Sequence, residues 1–208
     1  MKYTIDRRFK GLLPVVIDIE TAGFDPNENA LLEVAAVFMN YDEGILQPIH
    51  IFHEHVIPEP GLELDEAALE FTQIIPDHPF RMAKPEAEVI QLLNEEISKY
   101  MDFLGCSRSV LVGHNGQFDL SFLQAAAERH QLPLQLHRFL VMDTATLSAA
   151  LLGETVLAKA VRKARLPFDD AQAHGALYDA TITSELFSKL IQQADASRIR
   201  SGSGRSSG

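Results

Sequence analysis

The sequence predicts an α/β fold, and three observations carry that reading. Apolar runs rich in β-branched residues recur at 13–17, 30–41 and 109–115, the pattern of strands buried on both faces. Helical periodicity appears in longer stretches, with Val89, Leu92, Leu93, Ile97 and Met101 on one side of the segment from Glu86 to Met101. The first three strand signals follow one another with only turns between them, so a three-stranded meander opens the sheet.

In order along the chain, Arg7, Arg8 and Lys10 surround Phe9 in a small basic arm, either a solvated terminus or a phosphate contact. The first strand is Leu13-Pro14-Val15-Val16-Ile17, carrying Asp18 and Glu20 at its far end. Thr21-Ala22-Gly23 breaks it, and a turn follows at 25–29. Ala30 to Tyr41 is the second strand and Ile49 to Ile57 the third. On the third, His53 and His55 share one face. As metal ligands they would need further partners, and nothing near them completes a set, so they read as surface residues of an outer strand. A short helix covers Asp65 to Phe71, and Pro76, Pro79 and Pro85 punctuate the loop after it. The helix from Glu86 leads to a strand over 109–115, then a helix from Phe118 to His130 that Pro133 stops. Phe139 to Met142 is a fifth strand. Two small helices, 144–152 and 155–164, flank Gly153, and a long helix spans Gln172 to Ala194. The Ser-, Gly- and Arg-rich stretch 196–208 is expected to be disordered, leaving 1–195 as one domain.

Composition narrows the function. A chain of 208 residues with 46% apolar content can bury a sizeable core. A net charge of -11 argues against broad, nonspecific nucleic-acid binding, though not against an enzyme whose anionic site is neutralised by metal. Cys106 is the single cysteine, which excludes an intrachain disulfide and disfavours a zinc-thiolate cage. No apolar run is long enough for a membrane span and the first ten residues are charged, so a soluble cytoplasmic protein with no membrane partner is expected.

The chemistry resides in carboxylates placed where they are costly. Side chains alternate along a strand, so Asp18 and Glu20 point the same way from an otherwise apolar run. Two adjacent anions there repel and lose solvation, and a divalent cation is the simplest offset. Asp119, in GHNGQFDLSFL, opens a helix, where it could equally be a cap. Asp179, in AHGALYDA, lies on an Ala-rich helix and could be merely exposed. His174, taken alone, could be an ordinary histidine.

Together, IDIET (17–21), HNGQFD (114–119) and HGALYDA (174–180) resemble the motifs of the DEDDh 3′-to-5′ exonuclease superfamily, in the same order. Within it the wording VVIDIETAGF, ALLEVAA, AAAER, DTATL and QAHGALYDA is similar to the ribonuclease T family. The resemblance implies a ribonuclease H-like fold, with a central mixed five-stranded sheet flanked by helices. It implies two Mg²⁺ ions, with Mn²⁺ as a substitute, held by Asp18, Glu20, Asp119 and Asp179 beside His174 as general base. Phe24, Phe71, Phe118 and Phe139 would stack on terminal bases, although plain core packing is the other reading for each. Arg8, Lys10 and Arg108 match part of a basic patch that in that family grips the RNA stem across a homodimer. Two other basic positions fall on Asp102 and Pro133, and a base-discriminating glutamate falls on Ala67, next to Glu66. The implied activity is trimming of RNA 3′ ends, those of tRNA and other small stable RNAs, and of single-stranded DNA, releasing 5′-nucleoside monophosphates. A proofreading subunit of a DNA polymerase and a non-catalytic nucleic-acid-binding module on the same fold are the alternatives.

Overall fold

A computed structural model describes the backbone of residues 4–203 and the side chains of residues 4–197. After a short helix α1 (Ile5–Arg8) come β1 (Leu12–Thr21), β2 (Leu31–Asp42), β3 (Ile45–Ile57), α2 (Glu66–Thr72), β4 (Lys84–Pro85) and α3 (Glu86–Leu104). Then follow β5 (Arg108–Gly113), α4 (Gln117–Arg129), β6 (Val141–Asp143), α5 (Thr144–Leu152), α6 (Leu157–Lys163) and α7 (Ala176–Ser203). The sheet order is β4-β3-β2-β1-β5-β6. β1, β2 and β3 form the expected antiparallel meander, while β5 pairs parallel to β1 and β6 parallel to β5. The sheet is therefore mixed, as expected. It has a sixth strand: two residues of the proline-punctuated loop, Lys84–Pro85, pair parallel with Val56 and Ile57. Two residues carry no periodicity, so nothing in the sequence marks them as a strand.

Register assigns the two faces. Val15 pairs with Phe38 and Phe38 with His50, and the Phe38 and His50 rings both stack on Tyr100 of α3, so α3 covers that face. On the other face Asp18 lies opposite Ala35 and Glu20 opposite Glu33. There α7 packs across β1, β2 and β3, and Ser188 Oγ donates to the Leu46 carbonyl at 2.6 Å. β1 and β2 are buried over nearly their full lengths, as their apolar runs require. α7 continues to Ser203, so its last turns occupy residues that composition assigns to a disordered tail; residues 204–208 lie outside the described chain. No single helix among the described residues is long and apolar enough to cross a membrane.

Candidate active site

Three chain segments meet at the end of β1. Asp18 and Glu20 project from β1 on the α7 side. Asp179 comes from the first turn of α7, and one carboxylate oxygen from each of the three lies within 4.8 Å of the others. Asp119 reaches in from the start of α4: its Oδ1 accepts the Ile19 backbone N–H at 3.1 Å, between the two strand carboxylates. Asp119 does not cap α4, whose N-cap is Gly116. Small residues allow α4 to begin so close to the sheet, since a β-carbon on Gly113 would sit 2.7 Å from the Gly116 backbone. Asn115, at φ 63°, completes the tight connection, and its N–H donates to Asp143 Oδ1 at 2.8 Å.

The electrostatics are those of a site that calls for a positive partner. Burial, reinforced by the negative charges of Asp119, Asp179, Glu20 and Glu33, holds the Asp18 carboxyl well above the usual carboxylate range. Burial and then the charge of Glu33 push Glu20 up to about 8. Burial raises Asp119 to about 7 against the two backbone amides that it accepts from. Burial also raises Asp179, opposed by the His174 amide. Asp179 Oδ1 is closed off from solvent without a hydrogen-bond partner. A buried carboxylate oxygen with no donor is costly and fits a metal ligand. The donor set is carboxylate oxygen throughout, which suits hard divalent cations.

His174 precedes α7 in the left-handed region, φ 69°, with its N–H on Asp179 Oδ2 at 3.3 Å. Its ring is exposed and lies 4.4 Å from that of Phe71. His114, by contrast, is a brace, with Nδ1 bonded to the Thr144 hydroxyl and Nε2 to the Thr155 carbonyl.

The phenylalanines divide. Phe24, Phe71 and Phe118 line one cleft of about 350 Å³ together with Ile19, Glu20 and Ala67. Phe24 is 85% exposed and Phe71 62% exposed, whereas Phe118 is half-buried, edge-on to Phe24 and tilted against Phe122. Gly23 sets up this loop, since a β-carbon there would meet the Asn29 side chain at 2.3 Å. Asp65 ties α2 to the same corner by donating its N–H to the Ala22 carbonyl at 2.9 Å and capping Ala67. Phe139 is 78% exposed but lines a separate groove with Arg108 and Arg138, not the cleft of the other three. Among the basic residues, Lys10 and Arg108 are exposed, while Arg8 makes a bidentate ion pair with Asp195 of α7 at 2.9 and 3.2 Å.

One reading from the sequence needs correction. His53 and His55 do have a further potential ligand beside them, Glu33 of β2: His53 Nε2 lies 2.6 Å from its Oε1. Glu33 precedes the histidines by some twenty residues and joins them only through strand register, for which the sequence carries no local signal.

The exonuclease family model (RNase_T) matches residues 15–187. The chain is 47% identical to ribonuclease T of Hahella chejuensis over 92% of this chain and 89% of that protein. It is 46% identical to ribonuclease T of Vibrio cholerae, over 91% of this chain and 86% of that one. The chain belongs to the ribonuclease T family of exonucleases. The family's fold reaches distant proteins as well. E. coli exonuclease I, solved with a dT13 oligonucleotide, superposes with a TM-score of 0.70 at 15% identity over 91% of this chain, which spans 43% of that chain's length. A 3′-exonuclease described for 3′-end-specific recognition of a histone mRNA stem-loop superposes at 0.68 and 18% identity, over 88% of this chain and 63% of that one.

Proposed function

We propose that this family member is a metal-dependent 3′-to-5′ exonuclease that trims the 3′ ends of tRNA and other small stable RNAs, and also single-stranded DNA. What carries the reading is that carboxylate oxygens of Asp18, Glu20 and Asp179 lie within 4.8 Å of one another, with Asp119 bonded to the Ile19 amide between the strand pair and an unpartnered oxygen on Asp179. These four residues would hold two divalent ions, Mg²⁺ or Mn²⁺. When bound, such ions lower the pKa of water and neutralise charge on the phosphodiester.

The chain's own groups supply the rest. Phe24, Phe71 and Phe118 receive the unpaired terminal bases, and stacking on any base makes this grip tolerant of sequence. His174 takes a proton from the water that attacks phosphorus. The P–O3′ bond breaks, the penultimate 3′-oxygen leaves and is protonated, and a nucleoside 5′-monophosphate is released. Lys10 and Arg108 are free to contact the RNA backbone, with Phe139 beside Arg108. By analogy with the family's use of such a patch, the working unit is a homodimer in the cytoplasm; a monomer mass by light scattering would contradict the dimer.

The deciding assay incubates an RNA bearing an unpaired, labelled 3′ end with Mg²⁺ or with EDTA. Stepwise shortening from that end in Mg²⁺ alone supports the reading. Absence of shortening with intact, folded protein favours the non-catalytic module, and capture of polymerase subunits favours the proofreading alternative.

A further inference from the structure

We infer that Glu33, His53 and His55 form a second metal site, built for a zinc-class divalent cation and separate from the carboxylate pocket. The β2–β3 register places Glu33 opposite His55 and Ala35 opposite His53, so both imidazoles and the carboxylate rise from the same sheet face on two paired strands. One ligand atom from each lies within 4.8 Å of the other two. His53 Nε2 is 2.6 Å from Glu33 Oε1, and His55 Nδ1 is 4.0 Å from Glu33 Oε2. Zinc bonds of about 2.0–2.2 Å to nitrogen and oxygen place tetrahedral ligand atoms roughly 3.3 Å apart. One separation is shorter than that and the other longer, each by under about 1 Å, a change that side-chain rotation supplies while the strands stay fixed.

A second observation points to a ligand. His55 Nδ1 is closed off from solvent with no hydrogen-bond partner, so an ion seated between it and Glu33 would satisfy an otherwise unpaired buried nitrogen. Glu33 itself is only 6% exposed, so its charge has little access to water. The donor set also selects the ion. Two imidazoles with one carboxylate suit Zn²⁺, Co²⁺ or Ni²⁺, whereas Mg²⁺ prefers the all-oxygen pocket next door. Arg81 flanks the cluster, but its Nη groups bond the carbonyls of Leu32 and Pro76, leaving the Glu33 oxygens to the histidines. Its charge opposes any cation. The site therefore takes an ion held by nitrogen coordination rather than by charge alone.

The test uses the full chain, stripped of metal by chelator and kept in excess Mg²⁺ so that the carboxylate pocket is filled by a hard ion. Co²⁺ is titrated in and followed by visible absorption. The expected result is one equivalent of Co²⁺ with nitrogen-ligated, low-symmetry bands, displaced by Zn²⁺. Affinity should fall at least ~tenfold in His53→Ala and in His55→Ala, since even loss of a supporting partner costs that much. Glu33→Gln keeps the side-chain shape and separates ligand loss from misfolding; it should lose the ion with an unchanged circular dichroism spectrum. Asp18→Asn should retain it. No uptake in excess Mg²⁺, uptake indifferent to the two histidine variants or to Glu33→Gln, or uptake abolished by Asp18→Asn would each overturn the site.

Discussion

The Phe71 ring lies 4.4 Å, centroid to centroid, from the imidazole of His174. His174 is otherwise exposed and tied down through its backbone N–H rather than its ring. Phe71 is thus both a wall of the cleft proposed to take the terminal bases and the neighbour that limits where the proposed general base can swing. General-base groups contribute about 10²–10⁴ in rate, so misplacing this one lowers turnover. Phe71→Ala should lower kcat as well as raise KM, whereas Phe24→Ala, whose ring packs against Phe118, should act on KM alone. Phe71→Leu should recover part of the kcat loss. Steady-state kinetics on a short single-stranded RNA separates the two effects, and identical kcat/KM splits for the two alanine variants would refute the coupling.

The carboxylate pocket makes metal-free stability depend on pH in a definite direction. Glu20 titrates at about 8 and Asp119 at about 7 in the folded protein, above the ordinary values of 4.5 and 3.8. The folded state therefore binds more protons than the unfolded chain between those limits, and stability falls as pH rises through that window. Below pH 4 both states are protonated and this penalty is absent. Divalent ions held by these carboxylates would replace the missing protons. Melts of the chelated protein should therefore drop from pH 5 to pH 8, by about 2–4 °C for each kcal/mol of penalty in a chain of this size. Saturating Mg²⁺ should raise the Tm most at pH 8 and least at pH 5. A Mg²⁺ shift independent of pH would show that these groups are not the ligands.

The Ile19 N–H to Asp119 Oδ1 bond, at 3.1 Å, separates two roles of one residue. Asp119→Asn keeps an acceptor for that amide and removes the charge; it should fold normally and lose nearly all activity. Asp119→Ala also leaves the Ile19 amide buried without a partner, which costs about 1–3 kcal/mol. Urea unfolding of the two variants beside wild type measures the difference. Equal stability of the two would mean that the hydrogen bond contributes nothing.

What the sequence discloses follows from how local each feature is. Asp18 and Glu20 are legible because alternation along one strand places them together without knowledge of any partner. The α5 boundaries match because Asp143 caps its first turn and Gly153 ends it in the left-handed region, signals carried by single residues. Glu33 is not legible beside His53, since the register of β2 on β3 decides which of its residues face the histidines, and a one-residue slip would turn Glu33 to the other sheet face. The same holds for Phe139: the family resemblance implies stacking, but only the tertiary course of the chain shows that it lines a groove with Arg108 rather than the cleft of Phe24. Helix α1 is four residues of a charged arm, too short for any periodicity, and it exists because Ile5 and Phe9 bury against the core.

That arm decides the last prediction. Sequence resemblance groups Arg8 with Lys10 and Arg108 as RNA-binding residues, yet Arg8 commits its guanidinium to Asp195, with the two side chains only 15% and 13% exposed. A phosphate could recruit Arg8 only by breaking a bidentate pair that fastens the arm to α7, whereas Lys10 and Arg108 stand in solvent. Arg8→Ala should therefore destabilise the fold by about 1–3 kcal/mol while leaving RNA affinity and its salt dependence near wild type. Lys10→Ala and Arg108→Ala should do the reverse: little change in unfolding, weaker RNA binding, and a salt slope shallower by about 0.7 for each single-strand phosphate that is no longer neutralised. Binding isotherms at several salt concentrations, run beside urea melts, distinguish the two patterns. A shallower salt slope in Arg8→Ala with unaltered stability would return Arg8 to the RNA-binding surface.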